Sequence, residues 1–398
     1  MIAALEDNPV LVLTGARQVG KSTLLRKEAP FKDYPYFSLD DFDILRQAEE
    51  DPTSLWIGSE HIIIDEVQKV PRLLSVIKQT VDTYPRKYHF VLSGSANLLL
   101  MKQVSESLAG RATYFELDPL TLGEIQENPV PTLITDIMNG RWPEDGITSN
   151  SMPDPIVPML RGLMPALIRF ESSSSWTRWW EGYVATYLER DLRQISQITS
   201  LLDFRRMMEL LALRSAQVLN QSELGRDAGL SQPTTHRYLN LLETTCLFRQ
   251  IPAFTENLSL RLIKAPKAIW NDPGLASFLC GYYQENDLRI SRDIGHIFEN
   301  FIFHHLHVIA QMMIPKSRIY HWRTNAGKEV DFVLEYGRKY LAIEVKRTGK
   351  PSYADTQGLR EFLRYHSQAV GGILIHCGPE IKRFSQNILA VPWTLITG

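Results

Sequence analysis

Short apolar runs alternate with helix-favouring segments over roughly the first 120 residues of the chain. The runs are rich in β-branched and aromatic residues, which favour strands, and they cover residues 9–14, 36–39, 61–64, 89–92 and 113–117. Helical patterns begin between them, near Lys21, Phe42, Val70 and Ala96. Strands that alternate with helices predict an α/β fold in which a parallel sheet is covered on both faces.

The pattern changes in the middle of the chain. Residues 128–175 are rich in proline and predict irregular structure, whereas residues 176–215 are strongly helical. Two further helices are expected within residues 222–244, joined by a turn at Gly229. Their apolar positions have the spacing of a helix-turn-helix, at Leu224, Ala228, Leu230, Tyr238, Leu239 and Leu242.

The C-terminal segment returns to a mixture of helices and strands. Helices are expected at residues 295–309 and 357–366. Strands are expected at residues 318–322, 330–335, 340–346 and 372–376. This order predicts a second α/β region.

Composition narrows the class of protein. The chain has 398 residues, a formal net charge of −2 and 44% hydrophobic residues, as in an ordinary globular protein of two or three domains. Contact with nucleic acid would therefore need a local basic patch. Three widely spaced cysteines argue against a disulfide framework or a zinc site and fit a reducing cytoplasm. No run approaches the length of about 18 apolar residues that crosses a membrane, and no signal-peptide pattern opens the chain. We expect a cytoplasmic protein with no membrane partner.

A phosphate-binding motif follows the first expected strand. The segment GARQVGKST runs from Gly15 to Thr23 and fits the pattern G-x-x-x-x-G-K-[ST]. In such a loop, backbone N–H groups surround phosphate oxygens. The expected ATP-binding residues are Gly15, Ala16, Arg17, Gln18, Val19, Gly20, Lys21, Ser22 and Thr23. Lys21 would reach the β- and γ-phosphates, where it also serves catalysis, and Ser22 would ligate Mg²⁺.

A second, acidic motif completes a site for ATP and Mg²⁺. The segment HIIIDE is a short strand that ends in two carboxylates. Asp65 would hold the magnesium ion, and Glu66 would orient or deprotonate the attacking water. The alternative is a strand followed by an acidic turn, and the phosphate-binding loop makes that alternative less favoured.

Two further positions each have an open alternative. Ser95 follows the next strand and could sense the γ-phosphate, as could Asn97, but both also suit an ordinary helix cap. Arg111 could stabilise transition-state charge, either within the chain or from a neighbouring subunit. An exposed arginine at the start of a strand explains Arg111 equally well.

Several motifs together resemble one family. The segments GARQVGKSTLL, HIIIDEVQKVP, VLSGSANLLL and SLAGR are similar to those of bacterial and archaeal AAA-superfamily ATPases that carry a C-terminal domain of unknown function, number 4143. The segments NLSLRLIKAPKAIWNDPGLASFLCG, HIFENFIFHHL, KEVDFVLE and AIEVK extend the resemblance over nearly the whole chain. The resemblance implies a P-loop domain, a winged-helix middle and a restriction-endonuclease-like end, without a known cellular role. The family usually has a helical lead-in before the first strand, so a longer natural N-terminus is one alternative.

Pattern and resemblance together predict four parts. These are a P-loop AAA-type ATPase core at residues 1–127, a helical lid and linker at 128–198, a winged helix-turn-helix at 199–285 and a PD-(D/E)xK nuclease-like α/β domain at 286–398.

The last part contains residues suited to metal-dependent chemistry. Asp331 lies in EVDFVLE, and Glu344 and Lys346 lie in AIEVK with one residue between them. Side chains at i and i+2 of a strand share a face, and a hairpin at residues 336–338 would bring Asp331 to them. The carboxylates would then bind Mg²⁺, and the lysine would position a water against a phosphodiester. A cross-strand salt bridge on a solvated face is the alternative.

The same set resembles the core of PD-(D/E)xK nucleases. That resemblance implies a metal-binding role for Glu299 and a polar role for Gln357 on the next helix. Such cores are also used for binding alone, so cleavage stays an open question. The nearby His304, His305 and His307 lack metal-ligand spacing and predict a helix surface.

Polar residues of the second helix of the helix-turn-helix could read a major groove, namely Gln232, Thr234, Thr235, His236 and Arg237. The leading hypothesis is an ATPase whose nucleotide state controls binding to DNA or RNA. The hypothesis extends to Mg²⁺-dependent cleavage of that nucleic acid. The alternatives are an ATP-dependent conformational switch for protein partners and an ATP-regulated transcription factor. AAA-type proteins often form rings, so a homo-oligomer is a further expectation.

Overall fold

The computed structural model describes residues 1–94, 108–147, 152–186, 198, 200–261, 263–324 and 326–398. The chain forms two compact units. The first comprises Met1–Pro119 and Asn240–Leu247, and the second comprises Leu120–Leu239 and Phe248–Gly398.

The first unit is built on a five-stranded sheet whose paired strands run parallel. Its strands are β1 Val10–Gly15, β2 Tyr36–Ser38, β3 His61–Asp65, β4 His89–Ser93 and β5 Ala112–Leu117, in the spatial order β2-β3-β4-β1-β5. The carboxyl ends of parallel strands lie at one edge of the sheet, so the residues that follow β1, β3 and β4 meet there.

Both faces of this sheet are buried. The helices described in residues 1–94 are α1 Ile2–Asp7, α2 Lys21–Lys27, α3 Phe42–Glu50 and α4 Leu73–Thr83. Alternate side chains of a strand point to opposite faces, so Val10 and Val12 join one buried cluster and Leu11 and Leu13 join another. This arrangement confirms the doubly covered parallel sheet that the apolar runs predict.

The second unit begins with a helical region that ends in a two-stranded ribbon. In the described residues up to Thr244, its helices are α5 Leu122–Ile125, α6 Leu133–Met138, α7 Ile156–Arg161, α8 Ser173–Tyr183, α9 Leu201–Ala212, α10 Gln221–Ala228 and α11 Gln232–Thr244, with strand β6 Gly146–Ile147 between α6 and α7. The end of α11, from Asn240, belongs to the first unit. Gly229 has φ +73 and makes the turn after α10, in a conformation that glycine adopts without a Cβ clash. The ribbon pairs β7 Phe248–Ile251 antiparallel with β8 Lys267–Trp270.

A seven-stranded mixed sheet forms the rest of the second unit. The remaining helices are α12 Leu258–Arg261, α13 Pro273–Leu279, α14 Glu285–Ile290, α15 Ile294–Met312, α16 Gln357–Tyr365 and α17 Thr394–Thr397. The remaining strands are β9 Arg318–Arg323, β10 Glu329–Tyr336, β11 Lys339–Lys346, β12 Ala369–His376, β13 Glu380–Ser385 and β14 Ile388–Pro392, in the spatial order β6-β13-β14-β12-β11-β10-β9. β10 and β11 form an antiparallel hairpin, and β12 runs parallel to β11.

The structure differs from the expected division in the stretch 128–198. Instead of serving only as a lid and linker, this stretch supplies β6, which pairs with β13 in the sheet of the second unit. Ile134, Ile137 and Met138 of α6 are fully buried. Proline and glycine around these short elements weaken the local signal for helix or strand, so the sequence did not reveal them. Within the described residues, no helix combines the length and the apolar character needed to cross a membrane.

Candidate functional site

The loop between β1 and α2 has a shape that its glycines make possible. Gly15 has φ +145 and Gly20 has φ +106, both in a region that other residues rarely adopt. A Cβ atom at Gly15 would also collide with the carbonyl oxygen of Leu117. Ala16 and Val19 are buried and anchor the loop in the protein interior. The sequence therefore allows a tight loop at the carboxyl end of the central strand.

Lys21 is the buried cation of this loop. Its Nζ donates to the carbonyl oxygens of Gly15 and Ala16, each at 2.9 Å, and thus folds back on the loop. Burial lowers the pKa of Lys21, and the nearby charges of Glu66 and Asp65 oppose this effect without cancelling it. The ammonium is bound by neutral oxygens rather than by a carboxylate.

Asp65 lies at the end of β3, beside the loop. Its Oδ2 accepts from Ser22 Oγ at 2.7 Å and from Tyr36 Oη, and its Oδ1 accepts from Ser93 Oγ and from the backbone N–H of Glu66. Burial alone would raise the pKa of Asp65, but these hydrogen bonds outweigh it and lower the pKa. Since every one of these donors is neutral, the carboxylate keeps its full negative charge.

Glu66 follows in a left-handed conformation, with φ +56, which is uncommon for a residue with a side chain. Its Oε2 accepts a hydrogen bond from Gln68 Nε2. Burial raises the pKa of Glu66, and the neighbouring charge of Asp65 adds to this shift. A carboxylate with a raised pKa is a better proton acceptor near neutral pH.

Lys21, Ser22 and Glu66 lie on the wall of a cavity of about 370 Å³, and Asp65 is joined to this wall by its hydrogen bond with Ser22. Its lining consists of Arg17, Gln18, Gly20, Lys21, Ser22, Thr23, Asp40, Glu66 and Lys69. Lys69 Nζ pairs with Asp40 at 2.5 Å on the cavity wall. The set fits ATP with Mg²⁺, because a serine hydroxyl and an uncompensated carboxylate lie together beside a loop shaped for phosphate.

The four residues expected in the C-terminal domain also lie in one cluster, in which the three carboxylates are buried and Lys346 is partly exposed. Asp331 is on β10, Glu344 and Lys346 are on β11, and Glu299 is on α15. Lys346 Nζ contacts Glu344 Oε1 at 2.7 Å, and Asp331 Oδ2 accepts from the N–H of Val345 at 2.8 Å. Burial and repulsion by Asp331 raise the pKa of both Glu299 and Glu344, and the neighbouring ammonium groups of Lys267 and Lys346 oppose this shift. The three carboxylates are buried, so the alternative of a solvated face is wrong.

A second lysine, which the sequence analysis missed, lies inside this cluster. Lys267 of β8 places its Nζ 2.5 Å from Glu299 Oε1 and 3.5 Å from Asp331 Oδ1. Within the described residues, no group of three or more histidine, cysteine, aspartate or glutamate side chains is arranged to hold a metal ion. The expected Mg²⁺ site of Glu299, Asp331 and Glu344 therefore does not fit this arrangement, because an ammonium group already contacts two of the carboxylates.

Comparison with known proteins gives the family. Residues 7–126 match an AAA domain, residues 158–286 a domain of unknown function (DUF8612) and residues 294–396 a domain of unknown function (DUF4143). Over 393 residues the chain is 30% identical to uncharacterized protein Rv2008c of Mycobacterium tuberculosis and to uncharacterized protein Mb2031c of Mycobacterium bovis, covering 98% of this chain and 81% of each relative. This chain belongs to their family. It carries an AAA domain, a class of domain that binds ATP.

Two solved structures resemble the chain only weakly. A RuvB variant from Thermotoga maritima has a TM-score of 0.29 at 17% identity, covering 66% of this chain and 90% of its own. Protein VC1899 from Vibrio cholerae has a TM-score of 0.19 at 12% identity, covering 98% of this chain and 95% of its own. TM-scores this low support no inference about this chain.

Two further candidates of the AAA domain have separate outcomes. Ser95, like Asn97, lies outside the described residues. Arg111 precedes β5 and lies at the amino end of the sheet, opposite the phosphate-binding loop, because Val10 pairs with Ala112 in parallel strands. Its guanidinium pairs with Asp82, with 3.0 Å between Nη2 and Oδ2. Arg111 is therefore too far from the phosphate-binding loop to act in catalysis within its own chain. Its role in a neighbouring subunit stays a prediction.

Tyr36, Ser93 and Gln68 are the residues of the AAA domain that sequence reasoning missed. Tyr36 begins β2 and Ser93 ends β4, the two neighbours of β3 in the sheet. A polar residue at the end of a strand next to the acidic strand was an available signal for Ser93. Tyr36 offered no such signal, because an aromatic residue in a strand usually packs in the core.

Three further expectations meet different outcomes. Gln357 is exposed at the start of α16. His304 and His305 are buried, so the expected helix surface is wrong: His305 Nε2 accepts from the N–H of Leu122 at 3.1 Å, and burial lowers the pKa of His305 to about 3. Thr235 is also buried and donates to the carbonyl oxygen of Ser231 at 3.0 Å, so it is not available to a groove.

Proposed function

We propose that this chain hydrolyses ATP in the cavity of its AAA domain. The observation that supports this best is the environment of Asp65, which contacts Ser22 Oγ at 2.7 Å and receives its other hydrogen bonds from neutral donors. A carboxylate that accepts hydrogen bonds from neutral donors has a fixed orientation and keeps its negative charge. It can therefore attract a cation to the place where Ser22 also offers an oxygen.

Each residue of the cavity has a role in this proposal. Mg²⁺ bound with ATP would neutralise charge on the phosphate oxygens, and Ser22 and Asp65 would hold it. Lys21 would exchange its two carbonyl acceptors for the phosphates. Glu66 would accept a proton from the attacking water, a role that its raised pKa suits.

The test is ATP hydrolysis by the full chain with Mg²⁺. Lys21→Ala removes the only buried ammonium that lines the described cavity, and we expect it to lower kcat/KM by about 100-fold or more. Lys27→Ala, at the exposed end of α2, is the matched control and should retain the wild-type rate. Equal rates for Lys21→Ala and wild type would place hydrolysis elsewhere.

We also propose that residues 199–285 contain a winged helix that contacts nucleic acid. The order α9, α10, α11, β7 and β8, with Val218 bridging Lys267, is the order of elements in that fold. The side chains of Gln232, His236 and Arg237 on α11 are exposed. The specific support is this exposed polar face on the second helix of the helix-turn-helix.

Labelled DNA and RNA, titrated at two salt concentrations, test this contact. Binding through phosphates should weaken steeply as salt rises, and Arg237→Ala should lower the affinity by about tenfold. Arg205→Ala, on α9, is the matched control. Absence of binding at both salt concentrations would favour the alternative, an ATP-dependent conformational switch that acts on protein partners.

The C-terminal part is proposed to have a PD-(D/E)xK-like fold. The order α15, β9, β10, β11, α16 and β12 supports this assignment, together with the juxtaposition of Asp331, Glu344 and Lys346. Cleavage is not part of the proposal, because Lys267 contacts the carboxylates that would bind the metal.

We propose that the whole protein works in the cytoplasm, as a homo-oligomer, with the winged helix at residues 199–285 and the nuclease-like domain at 286–398.

A further inference from the structure

The cation in the C-terminal carboxylate cluster belongs to the chain itself. Lys267 Nζ donates to Glu299 Oε1 at 2.5 Å and to the carbonyl oxygen of Asp331 at 3.3 Å, and it lies 3.5 Å from Asp331 Oδ1. These three oxygen atoms match the three donors of an ammonium group. All three side chains are buried, so water screens their attraction only weakly.

The backbone of Lys267 is fixed on both sides. Lys267 pairs with Ile251 in the ribbon and with Val218 through an isolated bridge. Three residues further on, Trp270 exchanges two hydrogen bonds with the side chain of Asn300, at 2.9 and 2.8 Å. Asn300 lies on α15, the helix that also carries the glutamate partner of the lysine. The ribbon therefore delivers the ammonium to the cluster from a rigid position.

Two further carboxylate oxygens of the cluster already have donors within the chain. Asp331 Oδ2 accepts from the N–H of Val345, and Glu344 Oε1 accepts from Lys346 Nζ. Glu344 Oε2 is buried and has no hydrogen-bond partner among the residues that the structure describes. A divalent ion needs several oxygen ligands at short distance, and it would stand close to the ammonium of Lys267 if it used Asp331 Oδ1.

We propose that Lys267 permanently takes the place of a divalent metal ion in the nuclease-like domain. The cluster then fastens the β7–β8 ribbon to α15 and to β10, and it does so without Mg²⁺. The domain keeps the residues of a nuclease-like site but uses them as a buried ion network. This inference rests on the proposed nuclease-like fold of the C-terminal part and is independent of the proposed ATPase.

Calorimetric titration of the full chain with Mn²⁺, in the absence of nucleotide, tests the proposal without altering Lys267. Mn²⁺ at the phosphate-binding loop is common to wild type and Asp331→Asn, so the two titrations should coincide. A site that is present in wild type and lost in Asp331→Asn would overturn the proposal.

Removal of the ammonium should open the site. Lys267→Ala is expected to gain Mn²⁺ affinity by about tenfold or more, and the gain should disappear in Lys267→Ala with Asp331→Asn. The midpoint of thermal unfolding of Lys267→Ala should also rise with added Mn²⁺ far more than that of wild type. Failure to gain an Asp331-dependent site would overturn the proposal.

If Lys267→Ala does not fold, Lys267→Met combined with Glu299→Gln removes the cation together with one of its carboxylate partners. This double variant should unfold at a higher temperature than Lys267→Met alone, because it leaves one buried charge fewer without a partner. An equal or lower unfolding temperature for the double variant would contradict a pairing role for Lys267.

Discussion

The nucleotide cavity and the C-terminal cluster both contain a buried lysine and buried carboxylates, but their charges are balanced in opposite ways. In the cavity, Lys21 donates to backbone carbonyl oxygens, and hydroxyl groups donate to Asp65. In the cluster, Lys267 donates directly to Glu299 and contacts Asp331. Burial lowers the pKa of Lys21, whereas for Lys267 the attraction of the two carboxylates outweighs burial and raises the pKa.

This difference separates a site that is ready for a ligand from one that is already complete. A carboxylate held by neutral donors keeps its charge for an incoming cation, and an ammonium held by carbonyl oxygens keeps its charge for an incoming anion. A buried ion pair satisfies both charges internally. Both motifs are candidate ligand-binding sites in the sequence, but the structure leaves unpaired charge for a ligand only in the first.

The largest effect is expected at Glu66, which would show that the cavity is the reactive site. Glu66→Gln keeps the size and polarity of the side chain but removes the proton acceptor, so kcat for ATP should fall by about 10²–10⁴-fold while KM stays nearly unchanged. Steady-state ATPase kinetics measure this. Glu60→Gln, at the exposed opposite end of the same strand, is the control. A loss of only a few-fold in kcat would show that Glu66 is not the proton acceptor of the reaction.

The two buried lysines sharpen the comparison through stability. Lys267→Met leaves buried carboxylates without their partner and should lower the free energy of unfolding by about 3–5 kcal/mol. Lys21→Met breaks no ion pair and should change it by less than about 1 kcal/mol. The pKa of Lys267 is raised in the folded state, so its contribution is complete below the unfolded-state pKa and is lost as pH rises through the folded-state pKa.

Urea denaturation of the full chain measures both lysine variants, with the exposed Lys350→Met as a control. The difference between Lys267→Met and wild type should shrink as the pH is raised towards the strongly alkaline range. Equal losses of stability for Lys21→Met and Lys267→Met would mean that the two sites do not differ in charge balance.

The sequence predicted the nucleotide site better than the C-terminal one for a physical reason. Gly15 to Ser22 are contiguous, and Asp65 ends a strand of a parallel sheet, so local pattern is enough to bring them to one edge. Lys267 is 32 residues from Glu299 in the chain and lies on a short strand with no motif. Only the pairing of the ribbon against α15 reveals its partner.

The errors have a similar origin. Arg111 looked catalytic, but strand direction places it at the far edge of the sheet. His304 and His305 looked exposed because histidine is polar, yet α15 is apolar on most of its surface, and a helix of that kind is buried. Their polar atoms are satisfied by backbone groups, such as the N–H of Leu122, that no periodicity identifies.

The smallest expected effect tests whether a neutral hydrogen-bond donor changes the pKa of Glu66 in the cavity. Gln68 Nε2 donates to Glu66 Oε2 and lowers the pKa of Glu66, against the larger effect of burial. Gln68→Leu removes that donor, so the pKa of Glu66 should rise further. Because Glu66 must be deprotonated to accept a proton, the acid limb of the kcat–pH profile should move to higher pH, while kcat on the alkaline plateau changes little. Gln79→Leu on the exposed side of α4 should leave the profile in place. A lower plateau without a shift of the acid limb would instead mean that Gln68 acts on the position of Glu66 rather than on its charge.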